Sequence, residues 1–305
     1  MISYVLRRLV QTIPVLIGIL FVSFVLTHLT GDPAEIMLPP GTPDDVMAAF
    51  RARHGLDRPL WEQFARFALA AVQGDFGQSL RFEQSAMALV AERLDATFVL
   101  AGVTMAIALS LGIPAGVISA VRRNTATDAA IRGAALLGQA VPSFYLGIVG
   151  IIVFAVWLRW LPTGGRDGPL NLILPATTLA LSLVALITRV TRSCMLDVLR
   201  QDYVRTARAK GLWEGRVIWL HALRNACIPI VTVIGLQVGL LLGGVVVTET
   251  VFSWPGVGRL AVQAIFARDF PVVQAVVFLF ALIFVGVNLL VDLLYAALDP
   301  RISVR

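Results

Sequence analysis

Side chains that could do covalent chemistry are few in this sequence, and they do not converge. The three histidines, His28, His54 and His221, are scattered, and no H-E-x-x-H, G-x-S-x-G or Cys/His ligand set accompanies them. Cys194 and Cys227 match no metal-binding spacing and read as packing residues. There is no Walker A loop, so the chain lacks the usual means of cradling ATP. Glu249 and Asp292 fall in apolar surroundings, where an acid is a functional candidate by default. They lie near opposite ends of different predicted helices, and Asp292 is close enough to its end to snorkel, so a proton relay is poorly supported. The expectation is a chain that is not an enzyme, with no catalytic residue, no bound cofactor and no metal.

The stretch that does concentrate functional side chains is Tyr203 to Pro229, "YVRTARAKGLWEGRVIWLHALRNACIP". Arg205, Arg208 and the chain's only lysine, Lys210, surround Thr206 and Ala207, with Gly211 and Leu212 behind them. Leu199, Tyr203 and Ala207 recur on one face of a predicted helix, while Arg205 and Arg208 point the other way. Gly211 ends that helix, because glycine readily takes the left-handed cap conformation. A second amphipathic helix is predicted from about Glu214 to Asn225, with Pro229 near the entry to the next apolar run. The chemistry on offer is recognition: small residues at the tip let a partner's surface approach the backbone. The competing reading is a solvated basic loop that only sets topology.

The elements around this stretch belong to a membrane. The sequence is 58% apolar and only 14% charged, far from the near-half and one-quarter of a soluble domain. Six apolar runs, roughly 9–29, 97–121, 133–158, 171–190, 228–248 and 273–297, each have the length that spans a hydrocarbon layer. The first follows Arg7 and Arg8 but is too long for a cleaved signal and lacks an A-x-A-like site, so it is expected to be a retained span. Pro14, Pro114, Pro142 and Pro175 fall in or beside the runs, where neighbouring helices tolerate a kink. Gly235, Gly239 and Gly243 share one helix face, which suits close helix contact. The net charge of +6 comes from arginines at the ends of apolar runs, a topology pattern and not a nucleic-acid surface.

Fifteen of the 25 basic residues fall on one side of a six-span layout, in the N-terminus, the 122–132 and 189–227 loops and the tail. Both termini and the Tyr203–Pro229 stretch are therefore expected in the cytoplasm. Segment 30–96 is the sizeable piece on the outer side. "GTPDDVMAAFRARHGL" reads as a helix capped by Thr42 or Asp44 and stopped by Gly55, and "RPLWEQFARFALAAV" as an amphipathic helix with Trp61, Phe64, Phe67 and Ala68 on one face. The expected organisation is a first span over 1–29, an outer region over 30–96, a five-span core over 97–297 carrying the cytoplasmic loop 191–227, and a tail over 298–305. Polar positions within the runs, such as Gln11, Thr177, Ser182, Gln237 and Asn288, do not distinguish a solute pathway from hydrogen bonds between helices.

The basic stretch resembles the EAA loop of ABC-transporter permease subunits. Arg205, Thr206 and Ala207 stand at the E-A-A positions and Gly211 at the glycine; further on, His221 replaces Ile, Leu223 matches and Arg224 replaces Pro. The variant "YVRTARAKGL…HALRNA…P" is similar to the dipeptide/oligopeptide/nickel branch of that family. So are "YVLRRLVQTIPVLIGI", "GLDRPLWEQF", "GDFGQSL", "AVPSFYLGI", "LPTGG", "LILPATTLAL", "ETVFSWPGVGRL" and "ALDPRI", which run in order from residue 4 to residue 302. The resemblance implies an all-α, polytopic membrane helix bundle of about six spans with a MetI-like importer permease core, in a bacterial inner membrane. It implies a second homologous permease subunit, two cytoplasmic ATPase subunits holding ATP and magnesium, and an extracytoplasmic solute-binding protein as partners. Tyr203, Arg205, Thr206, Ala207, Arg208, Lys210, Gly211 and Leu212 would form the loop that docks the ATPase. The solute it implies is a di- or oligopeptide, with nickel or a glutathione-like solute as alternatives. A secondary transporter or channel would instead be expected to show charges inside the membrane and no docking loop.

Overall fold

The structure is a computed structural model and describes residues 2–29, 34, 38 and 41–298. Within segment 30–96, residues 30–33, 35–37, 39 and 40 lie outside the described residues, as do the tail at 299–305 and the side chain of Asp292. Every long element is a helix. Among the described residues, five helices are long and apolar enough to cross a membrane, and six if a bent pair is counted as one span. The chain forms two compact units, one from residues 1–95 with 256–286 and the other from 96–255 with 287–305.

The first unit holds α1 (Ile2–Leu29), α2 (Asp44–His54), α3 (Leu60–Val72), the start of α4 (Ala86–Val121), α10 (Val257–Phe266) and the start of α11 (Phe270–Leu298). Its core gathers Leu20, Phe76, Leu89, Val90, Leu260, Val272 and Val276. Helix α2 ends where expected, with Gly55 left-handed at φ 68°, but its N-cap is Pro43 and no side chain caps it. Helix α3 turns Phe64, Phe67 and Ala68 onto the core as its periodicity suggests. Trp61 does not join them and is 73% exposed.

The second unit holds most of α4, then α5 (Ala126–Ala140), α6 (Ser143–Gly150), α7 (Leu170–Val198), α8 (Asp202–Ala209) and α9 (Leu223–Val251). Helix α6 continues as a wider, π-wound turn over Ile151–Trp157. The run expected over 133–158 is not one rod: α5 and the α6 segment meet at 96°. Val141 is extended and Pro142 caps α6. Proline cannot supply the amide that would continue α5, and it drives the preceding residue out of the helical region. Pro14, Pro114, Pro175 and Pro229 are absorbed inside helices.

Helix α7 is the centre of this unit, with 56% of its apolar window buried against 33% or less in the other straight spans. Its Leu179, Leu183 and Ile187 pack with Leu100 of α4, Leu241 and Val245 of α9, and Trp254. At Gly116 of α4 an added Cβ would stand 2.5 Å from the Thr191 Cβ and 2.7 Å from the Thr188 carbonyl oxygen of α7. The two backbones thus meet where a side chain has no room. The end of α9 is fixed by a buried set: Thr97 donates to the Glu249 carboxylate at 2.7 Å, and Trp254 Nε1 donates to the Ala96 carbonyl at 2.8 Å. Gly235 lies so close to α11 that an added Cβ would be 2.3 Å from Val291, whereas Gly243 faces open space.

Candidate functional site

The chain leaves α7 at Val198 and turns through Leu199–Gln201, with Gln201 N donating to the Val198 carbonyl at 3.0 Å and Val204 N to the Gln201 carbonyl at 3.1 Å. A separate helix, α8, then runs from Asp202 to Ala209. The continuous helical face expected through Leu199, Tyr203 and Ala207 is therefore interrupted, and the buried face of α8 is Val204 and Ala207. These two pack on Val217, with Val198, Leu199 and Leu212 around them. Burying Val204 fully contributes about 1.5–3 kcal/mol, enough to seat so short a helix that would not hold alone.

Gly211 closes α8 at φ +74°, its amide donating to the Arg208 carbonyl at 2.9 Å, while Leu212 N reaches the Ala207 carbonyl at 3.4 Å. Arg208 crosses the turn to Glu214, with Nε and Nη2 both within 3.2 Å of its carboxylate. Those hydrogen bonds hold the Arg208 guanidinium still further above its ordinary pKa, so it stays charged at any physiological pH. The pair is half exposed and contributes ~0.5 kcal/mol, so it orients the turn more than it stabilises it. The helix expected over Glu214–Asn225 does not stop: it passes through a π-wound turn at Val217–Ala222 and runs on as α9. The stretch is one docked helix wedged between the ends of α7 and α9.

Of the expected residues, Ala207 and Leu212 face the protein, and Gly211 forms the turn. Tyr203, Arg205, Thr206 and Lys210 are exposed, with the Arg205 guanidinium 3.6 Å from Asp202. The partial covering of the Tyr203 ring raises its phenol above the ordinary pKa, and a hydrogen bond to Asn225 opposes that. Sequence reading missed Trp213, which is 80% exposed immediately beyond Gly211 and Leu212. A bulky aromatic outside the apolar period was the available signal. The surface thus presents three cations, of which Arg208 is paired with Glu214, and two aromatic rings around a tip with no side chain at Gly211. It contains no nucleophile paired with a base, and among the described residues no cluster of His, Cys, Asp or Glu could hold a metal ion.

The first unit also holds a cavity of about 480 Å³ lined by Phe24, Phe67, Phe76, His28, Gln63 and Gln274 among others. Four of its polar side chains pair with one another: His28 Nε2 lies 3.2 Å from Gln63 Oε1, and Gln274 donates to Thr27 at 2.8 Å.

Residues 112–304 match the family described as binding-protein-dependent transport system inner membrane component, and residues 1–101 match its N-terminal companion. The chain is 45% identical over 306 residues to the glutathione transport system permease protein GsiC of Escherichia coli (strain K12), covering 100% of both chains. The same identity and coverage hold for the protein of that name in Shigella dysenteriae serotype 1 (strain Sd197). Among solved structures, an inward-facing MetNI methionine ABC transporter superposes with a TM-score of 0.60 at 16% identity, over 70% of this chain and 97% of that one. An amino acid ABC transporter solved with histidines gives 0.55 at 12%, over 68% and 94%.

Proposed function

We propose a solute class and a coupling mechanism from one premise: this chain belongs to the family of binding-protein-dependent transport system inner membrane components and is a permease subunit of an ABC importer. It is a multi-pass inner-membrane protein whose family implies ATPase and binding-protein partners. The proposed assembly pairs it with a second, homologous permease over two cytoplasmic ATPases, which carry the ATP, the magnesium and the hydrolysis. In this arrangement both termini and α8 face the cytoplasm of a bacterial cell.

The observation that carries the mechanism is α8 itself. It is an eight-residue helix, set off from α7 by its own turn and closed by a left-handed glycine. Its apolar side holds it to the permease, and its outer side shows Tyr203, Arg205, Thr206, Lys210 and, beyond the turn, Trp213. An ATPase groove receives that outer side. Closure of the ATPases on ATP displaces α8, and α7 and α9, joined to its two ends, carry the displacement into the bundle. The energy input is a population shift between inward-facing and outward-facing packings, biased by the partner.

The solute class is short peptides, with glutathione, itself a tripeptide, inside it. Full-length 45% identity to permeases named for glutathione transport supports this reading. The test is uptake of labelled peptide by the reconstituted complex, with unlabelled dipeptides, tripeptides, glutathione and nickel as competitors. Peptide competition with no effect of nickel is expected; competition by nickel alone overturns the solute class. A green fluorescent protein fused after Arg305 should fluoresce in cells, and a dark but inserted fusion would overturn the orientation.

A further inference from the structure

Asp128 sits in the first turn of α5, wholly buried, and four donors converge on its carboxylate. Ser119 Oγ donates to Oδ1 at 2.6 Å, the Asn124 amide to Oδ2 at 3.0 Å, and Arg192 to both oxygens, Nε at 2.9 Å and Nη2 at 3.0 Å. Arg132, one turn along α5, stands 3.4 Å from Oδ1. One carboxylate therefore ties the last turn of α4, the turn that follows it, the start of α5 and the body of α7. The two-pronged contact from Arg192 fixes rotation as well as distance, which a single hydrogen bond would not do. Stability alone does not require such a pair, since well-packed apolar side chains of similar volume serve as well or better. What it adds is a fixed relation between α7 and the α4–α5 corner.

That relation lies on the path from the docking helix. Arg192 is six residues from the end of α7, about 9 Å along the axis. The turn from α7 into α8 is only three residues, with Leu199 N donating to the Met195 carbonyl at 2.9 Å and Gln201 N to the Val198 carbonyl at 3.0 Å. Behind the ion pair, α4 meets α7 closely at two glycines: an added Cβ would stand 2.9 Å from the Ile187 side chain at Gly112 and 2.7 Å from the Thr188 carbonyl oxygen at Gly116. Without the pair, α7 is left on α4 with apolar packing and one hydrogen bond, Thr188 Oγ1 to the Gly112 carbonyl at 3.3 Å, and a single bond does not fix rotation as the two-pronged contact does.

We propose that Asp128 and Arg192 are positioning residues for coupling: they make α4, α5 and α7 one rigid body, so that displacement of α8 turns the three helices together. The proposal rests on the reading of α8 as the ATPase dock. Breaking the pair leaves the dock in place and lets the stroke dissipate at the α7–α5 contact. ATP is then hydrolysed without solute being moved.

The test uses the complete complex in proteoliposomes and measures uptake, ATP hydrolysis and ATPase co-purification for Asp128→Asn and Arg192→Lys. The first keeps the side-chain shape without the charge; the second keeps the charge without the two-pronged contact. The expected result is normal assembly, hydrolysis retained, and uptake lower by about tenfold, so that ATP consumed per solute rises by the same factor. Because Asp128→Asn leaves a partly buried guanidinium unmatched, Arg192→Lys decides the matter if the first variant does not assemble. Unchanged uptake in Arg192→Lys overturns the proposal, and so does a parallel loss of assembly, hydrolysis and uptake. A Gly211→Trp complex run alongside separates the two readings: uncoupling there with none in Arg192→Lys sinks only the positioning role, while normal uptake there sinks the dock.

Discussion

Substitution at Gly211 separates what the turn after α8 does for its own chain from what it does for a partner. The residue sits at φ +74°, and a Cβ built on it would meet nothing within 4 Å. Any L-residue there carries only the left-handed backbone penalty, about 1–2 kcal/mol. The seat beneath α8 is not touched: Val204 and Val217 are both fully buried, each contributing about 1.5–3 kcal/mol. Together they exceed the strain, so α8 stays docked in both Gly211→Ala and Gly211→Trp. In the isolated chain the two variants should be inserted equally and give similar melting curves. They diverge only when a partner's surface comes up to the backbone, where a methyl is tolerated and an indole is not. Measured as peptide uptake by the reconstituted complex, Gly211→Ala is expected to retain transport and Gly211→Trp to lose about tenfold or more. Equal uptake by the two variants would refute the reasoning, because it would mean that nothing approaches the turn closely.

Three further outcomes follow from contacts elsewhere. In Gly164→Ala the new Cβ would lie 2.1 Å from the Phe252 carbonyl oxygen, backbone against backbone, so the melting temperature of the purified complex should fall by an amount matching about 1–3 kcal/mol; an unchanged curve would contradict this. Trp254→Phe removes the indole donor from the buried Ala96 carbonyl and should cost about 1–3 kcal/mol by the same assay, with no loss meaning that the bond is not made. Arg208→Gln breaks a half-exposed pair and should change stability by ~0.5 kcal/mol or less; a much larger drop would show that Glu214 holds the turn together.

The apolar runs made the spans legible, because lipid demands about twenty apolar residues per helix whatever the tertiary contacts are. The same signal could not show that the third run is broken, since apolarity is continuous across Val141 and Pro142 while the backbone turns by 96°. Gly211 and Gly55 were legible because a left-handed stop is a local property of glycine. The break between α7 and α8 was not, because Leu199 and Tyr203 keep helical spacing across a turn set by packing on Val217. Trp61 shares the period of Phe64 and Phe67 yet stays exposed, since period gives a face and not the extent of what covers it. The Asp128–Arg192 pair was invisible for a further reason. Its members stand 64 positions apart in no motif, and in sequence Arg192 is one more basic residue at the end of an apolar run.

The central claim is that α8 and the turn beyond it are where an ATPase docks. Placing a photo-activatable cross-linking residue singly at Arg205 and at Trp213, with exposed Trp61 of the first unit as control, tests it directly in intact membranes. Irradiation is expected to join this chain to an ATPase subunit from positions 205 and 213 and not from 61. Adducts from 205 and 213 that lack an ATPase subunit, in membranes where the complex is assembled and active, would contradict the account.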